Sequence, residues 1–178
     1  EDWEPIVNVN LWGVIHGVHA ALPIMLRQGT GQIVNIASAA GLVPRPGMVP
    51  YAATKHAVVG LSTSLRYELE DLGIRVNVVC PFHISTSIFK NTVFRNLNGE
   101  AMLASIPLRP LPVDRCVGQI LAGVCKDRPI IVMPRFARFE WWLYRHFPII
   151  AGRILRRRRS LFRKHRLPSR PSATTSNL

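Results

Sequence analysis

Two short apolar runs, "QIVNIAS" (Gln32 to Ser38) and "IRVNVVCP" (Ile74 to Pro81), restrict the fold more than any other feature of the chain. Both are rich in β-branched residues, and neither alternates cleanly with polar ones. Each therefore reads as a strand covered on two faces, as in a parallel sheet. Between them, Tyr51 to Leu72 carries Ala, Val and Leu at helical spacing and closes at Gly73. A strand, a helix and a second strand with this much connection form a right-handed crossover unit. Upstream, Trp3 to about Gln28 repeats apolar residues at three- and four-residue spacings and ends at "GTG". After Pro81 the spacing predicts an irregular polar stretch to Pro112, a helix around Val113 to Lys126, and a third strand in "PIIVMP". The expected class is α/β, a doubly wound parallel sheet. No apolar run approaches the ~20 residues that span a bilayer.

Composition matters chiefly through its asymmetry. The formal net charge of +13 is not spread evenly: through Met133 the chain has 11 Lys/Arg against 9 Asp/Glu, whereas Pro134 to Leu178 has 12 against Glu140 alone. The expected organisation is a nearly neutral globular body over 1–133, a basic, aromatic helical extension over 134–166, and a disordered Pro/Ser/Thr-rich tail over 167–178. In the extension, "RFARFEWWLYRHFP" interleaves aromatics with arginines, and Ile150, Ile154, Leu155, Leu161 and Phe162 fall near one helical face opposite Arg156 to Arg159. An anionic membrane surface suits such a segment, and so does packing on the domain's own surface by the aromatics; nucleic acid is the disfavoured partner. Cys80, Cys116 and Cys125 show no paired spacing, which fits a reducing, cytoplasmic setting. His16 and His19, one turn apart, have no third ligand at fitting distance, so no metal site is expected.

The chemistry concentrates in "SAAGLVPRPGMVPYAATK". A phenol of pKa ~10 is a poor base at neutral pH unless something stabilises its ionised form. Lys55, four residues after Tyr51 and on the same helical face, is placed to favour the phenolate. Ser38, at the end of its strand, suits a hydrogen bond to the substrate oxygen as charge develops. Open α/β sheets gather such groups at the carboxyl ends of their strands. A lone Tyr-x-x-x-Lys pair would more simply be a helix-start aromatic and a solvated charge; Asn35 and Asn77, inside strands, read as structural hydrogen bonders.

Taken in order, "VNVNLWGV", "GQIVNIAS", "YAATK" and "RVNVVCP" resemble the classical short-chain dehydrogenase/reductases. The resemblance runs from about Trp3 to Pro134 and implies a Rossmann-like sheet, here N-terminally truncated, with the family's cofactor-binding opening half missing. It implies Ser38, Tyr51 and Lys55 as catalytic residues with Asn10 as a fourth, holding a water that links Lys55 to solvent. It further implies NAD or NADP as cofactor, contacted by Tyr51 and Lys55 and bordered by Pro81, Ile84 and Thr86. Where the family usually has glycine after that proline, this chain has Phe82, which either disturbs the nicotinamide pose or lines the substrate cleft. "STSIFKNTVFRNLNG" corresponds to a substrate lid whose phenylalanines favour an apolar small molecule. No Gly-x-x-x-Gly-x-Gly or Gly-x-Gly-x-x-Gly occurs, so a preference between NAD and NADP is not readable. The implied function is an NAD(P)-dependent oxidoreductase interconverting an alcohol and a ketone or aldehyde, in a family that commonly forms homodimers through its long helices. The alternative is a non-catalytic, membrane- or nucleic-acid-associated interaction module built on a truncated dehydrogenase fold.

Overall fold

The computed structural model describes residues 3–86, 98, 101 and 109–164. Strands β1 (Gly31–Ile36), β2 (Ile74–Pro81) and β3 (Ile130–Met133) form a parallel sheet in the order β1-β2-β3. Gly31 lies opposite Ile74, and Val78 opposite Ile130. Ahead of the sheet, α1 (Trp3–Val7), a π-helical turn (Asn8–Trp12) and α2 (Gly13–Gln28) follow one another without a break. Helix α3 (Val49–Leu69) connects β1 to β2, and α4 (Val113–Cys125) precedes β3.

Helices cover both faces of β2. On one, Val18 of α2 and Leu69 of α3 close over Ile33, Ile74 and Val76, and Val58 packs with Ala37, Val78 and Cys80. On the other, Cys116 of α4 meets Val79, Ile131 and Met133. Each fully buried Val, Ile or Met stabilises the domain by roughly 1.5–3 kcal/mol relative to exposure. The expectation of two covered faces fails for β1: Val34 and Ile36 are 36% and 49% exposed, because the apolar side chains of α4 pack on β2 and β3, while its Val124 carbonyl accepts from Gln32 Nε2 of β1 at 3.2 Å. A second difference concerns Trp3–Gln28, a 26-residue helix long and apolar enough by length and composition to cross a membrane, where no such run was expected. Its Val14, Val18, Leu22 and Met25 pack against the sheet, as the helix of a globular domain does.

Two left-handed glycines set the strand starts. Gly29 (φ 67°) ends α2 and Gly73 (φ 73°) ends the turn after α3. A Cβ on Gly73 would stand 2.6 Å from the Gly29 carbonyl oxygen, and the Gly31 amide donates to the Gly73 carbonyl at 3.4 Å. Beside them, polar side chains tie the sheet to its helices. Gln32 Nε2 donates to Asn77 Oδ1 at 2.7 Å, and Asn77 Nδ2 donates to Asp127 Oδ1 at 3.0 Å and to the Arg128 carbonyl at 2.8 Å. Arg66 grips Asp127 with both terminal nitrogens, at 2.9 and 2.8 Å, which holds the carboxyl pKa down at about 2. Asn35 Nδ2 donates to the buried Ser62 Oγ at 3.0 Å. Both strand asparagines thus serve structure.

The basic extension is folded. It forms α5 (Arg135–His146) and α6 (Pro148–Lys164), with Ala137 and Ala151 buried and Trp141, Tyr144 and Leu155 packed against the main core. The expected single apolar face is divided, since Leu155 turns inward while Ile150 and Ile154 stay exposed. The lid expected at 85–99 falls almost wholly outside the described residues, as does the tail over 167–178.

Candidate active site

Ser38 follows the carboxyl end of β1 in extended geometry (φ −167°, ψ 160°) and caps a buried 3-10 turn, Ala39–Gly41. Its Oγ accepts from the Ala40 amide at 3.1 Å and donates weakly to the Pro81 carbonyl at 3.4 Å, which joins the ends of β1 and β2. Tyr51, in the first turn of α3, stands close enough to Ser38 for that side chain to pull its pKa down. One turn on, Lys55 Nζ donates to the Ile36 carbonyl at 3.1 Å and lies 5.8 Å from the Tyr51 ring centroid. Ser38, Tyr51 and Lys55 therefore converge at the carboxyl ends of the strands.

The electrostatics differ from the sequence expectation in one respect. Burial raises the Tyr51 pKa above its ordinary value of 10.0, the nearby Ser38 side chain only partly opposes this, and Lys55 makes no comparable contribution. Burial also lowers the Lys55 pKa, against a smaller opposite effect from Cys80. Lys55 has its nitrogen on the Ile36 carbonyl and lies over the phenol ring, 5.8 Å from its centroid. At neutral pH Tyr51 thus keeps its proton.

Asn10 sits in the π-helical turn Asn8–Trp12, which lies against α3. A π turn inside an α-helix is uncommon and recurs at functional sites. Pro81 ends β2, half-buried. Ile84 is bridged to Leu111 and packs beside the cluster of Val79 and Cys116, and Thr86 is exposed with its amide on the Ile84 carbonyl at 2.9 Å. The chemistry of the donors suits a ribose: an ammonium has three N–H donors, and Ile36 takes one of those on Lys55. A cavity of about 220 Å³, lined by Arg66, Glu70, Arg75 and Asp127 among others, opens at the far, amino end of β2 and is not this site.

Two positions escaped the sequence reading. Gly41 lets the turn after Ser38 lie on α3: a Cβ there would stand 2.5 Å from the Lys55 carbonyl oxygen. Arg45, in the loop between Ser38 and Tyr51, grips Glu140 of α5 at 2.9 and 2.6 Å and places its guanidinium 5.0 Å from the centroid of Phe82. Only the glycine in "SAAGL" hinted at the first, and nothing local at the second.

The family model described as short chain dehydrogenase matches residues 1–96. Among curated relatives, the chain is 39% identical over 108 residues to a 3-oxoacyl-[acyl-carrier-protein] reductase of Synechocystis sp., a match covering 61% of this chain and 42% of the relative. It is 32% identical over 122 residues to the D-beta-hydroxybutyrate dehydrogenase of Rhizobium meliloti, covering 66% and 47%. A short-chain dehydrogenase from Sphingobium yanoikuyae, solved in complex with NADPH, superposes with a TM-score of 0.64 at 26% identity, over 93% of this chain and 58% of that one. The chain spans about half the length of the curated relatives it matches. The family match corrects the expectation of an N-terminally truncated domain. It begins at residue 1 and takes in α1 to α3 with β1 and β2, so the family region is N-terminal in this chain and the portion after residue 96 is the divergent one. With its model matched over more than half of the sequence, the chain belongs to the short-chain dehydrogenase family.

Proposed function

We propose that the protein is an NAD(P)-dependent oxidoreductase that interconverts a ketone or aldehyde and an alcohol on an apolar small molecule. The observation that carries this reading is the convergence of Ser38, Tyr51 and Lys55 beside the carboxyl ends of β1 and β2, with Lys55 Nζ 5.8 Å from the Tyr51 ring centroid. When bound, a nicotinamide supplies or accepts the hydride. Tyr51, protonated at neutral pH, gives its proton to the carbonyl oxygen as the carbon is reduced, and the resulting phenolate is left beside Lys55. Ser38 turns its hydroxyl from the weak 3.4 Å contact with Pro81 toward the substrate oxygen as charge builds there. Lys55, with donors to spare, holds the ribose alongside Tyr51, and Pro81, Ile84 and Thr86 border the nicotinamide. Asn10, in the π turn, holds the water that returns a proton through Lys55. Alcohol oxidation runs the same steps backward and needs the phenolate first.

The test is made in the protein that carries this chain. Tyr51→Phe keeps the ring and removes the proton; hydride transfer in stopped flow is expected to fall by at least ~10²-fold with dinucleotide affinity unchanged. Lys55→Met is expected to weaken both, and Ser38→Ala to slow transfer alone. A Tyr51→Phe rate near wild type would refute Tyr51 as the acid/base, and a wild-type protein that transfers no hydride would favour the non-catalytic alternative.

A second role, peripheral contact with an anionic membrane, is supported by the outer surface of α5 and α6. Phe139, Trp142, Phe147, Ile149, Ile150 and Ile154 are exposed there, among exposed Arg138, Arg145, Arg153 and Arg156. Apolar burial plus attraction to headgroups is what an in-plane helix needs. Cosedimentation with phosphatidylserine-containing vesicles, weakened by salt and absent with phosphatidylcholine alone, is the expected result. Exposed Trp3, Val9 and Trp12 on the N-terminal helical segment suit self-association, which sedimentation velocity reads directly.

A further inference from the structure

Phe82 stands directly after Pro81, whose carbonyl receives the Ser38 hydroxyl. Its amide is fixed on the Met133 carbonyl at 2.9 Å. Its ring lies under the Arg45 guanidinium and meets Phe136 of α5 edge-on, with centroids 6.1 Å apart. Arg45 in turn is held by both oxygens of Glu140, and each side chain of that pair is only 12% exposed. The loop that carries Arg45 leads from Ser38 to Tyr51 and contains Pro44 and Pro46, which leave it few conformations of its own.

We propose that α5 is a positioning element of the active site, latched to the Ser38–Tyr51 loop by the Arg45–Glu140 pair over Phe82. The latch fixes the aromatic wall beside the carbonyl and so limits the bulk of the substituent accepted there. The limit on substituent size rests on the oxidoreductase reading; the mechanical coupling does not. Three observations support the coupling. The pair spans 95 positions of sequence yet closes bidentately. It is largely buried, where one charge without its partner is strongly disfavoured, so loop and helix hold or release together. The ring it covers is packed between the Arg45 guanidinium and Phe136 of α5, so its position depends on the pair. The residues act through Ser38 and Tyr51 rather than on the reacting atoms. The substrate class this favours is a ketone with a slim aliphatic or flat aromatic substituent on the α5 side.

The experiment compares Arg45→Glu, Glu140→Arg, the double exchange of the two, and the milder Glu140→Gln, in the protein that carries this chain. Amide hydrogen exchange of the loop between Gly41 and Met48 is read first. Each single reversal is expected to speed it about tenfold or more, Glu140→Gln less, and the double exchange to restore it. Kinetics then compare acetone with a bulky aryl ketone. The single reversals are expected to change KM and the preference between the two ketones, with kcat for acetone moving least and the double exchange recovering the original ratio. Unchanged loop exchange in Glu140→Gln and both reversals, or equal losses on both ketones without recovery in the double exchange, would overturn the proposal. Faster loop exchange, restored by the double exchange, in a protein whose wild type turns over neither ketone would uphold the latch and reject the oxidoreductase reading with its size limit.

Discussion

Gly41→Ala isolates the fit between the serine turn and the catalytic helix. The added Cβ would stand 2.5 Å from the Lys55 carbonyl oxygen, 2.8 Å from the Lys55 carbonyl carbon and 3.1 Å from Val59 Cγ2. The first two are main-chain atoms inside α3, and Gly41 itself is buried, so neither partner has a flexible end to swing aside. Relief to the 3.0 Å that real Cβ contacts respect requires the turn and the helix to part by roughly half an ångström at least. Overpacking of this kind costs about 1–3 kcal/mol; at ~2 kcal/mol the melting temperature of a domain of this size falls by about 4–8 °C. The same movement separates Ser38 from Tyr51 and Lys55, and a misplacement approaching 1 Å at a reacting group lowers turnover by up to ~10²-fold. The control is Gly60→Ala on the exposed side of the same helix, where the new methyl meets nothing within 4 Å. There the change is expected to stabilise by ~0.5–1 kcal/mol, through lost freedom of the unfolded chain. Urea and thermal unfolding of both variants read the difference in sign. If Gly41→Ala melts at or above wild type, the close approach of turn and helix is not what seats Lys55.

Ser62→Ala removes the acceptor of Asn35 Nδ2 in a buried setting and is expected to cost about 1–3 kcal/mol in urea unfolding, while Ser62→Thr retains part of it. The Asp127 carboxyl, held near pH 2 against its ordinary 3.8, gives stability that is complete above about pH 4 and is lost as pH falls through 2. Its side chain is 30% exposed, so the contribution is about 1 kcal/mol after solvent screening, and Asp127→Asn should remove this acid dependence from unfolding curves taken between those limits. Burial pushes the Cys80 thiol up to about 12, whereas Cys125 is exposed. Iodoacetamide at pH 8 is expected to label Cys125 and to reach Cys80 only in denaturant, as read by peptide mass.

What could be read from the sequence was what repeats at short range. Tyr51 and Lys55 are four residues apart in a helix, so their common face follows from geometry, and the β-branched runs around Val34 and Val78 announce strands. The coverage of β1 could not be read this way, because its outer face depends on how far α4 reaches across the sheet. Arg45 and Glu140 are distant in sequence, and although Glu140 is the one acid in its basic segment, nothing there names its partner. The Tyr51 pKa was misjudged for a related reason: spacing places Lys55 on the right face, but burial and the Ile36 carbonyl decide where its charge rests. The arginines of α5 and α6 suggested an appendage, while the inward turn of Phe136, Trp141 and Tyr144 that joins these helices to the domain depends on partners far along the chain.

The two left-handed glycines at the start of the sheet act as the zero mark of a ruler. Gly73 can sit against the Gly29 carbonyl only because it has no side chain, and that contact starts β1 and β2 level, Gly31 opposite Ile74. Seven residues along each strand, about 23 Å away at the usual rise, come Ser38 and Pro81, whose hydroxyl and carbonyl meet. A side chain at residue 73 would displace the origin of one scale against the other. A slip of one position turns every strand residue to the opposite face, so the serine would point away from the tyrosine. The alignment of the reacting groups is therefore measured out from the end of the molecule farthest from them.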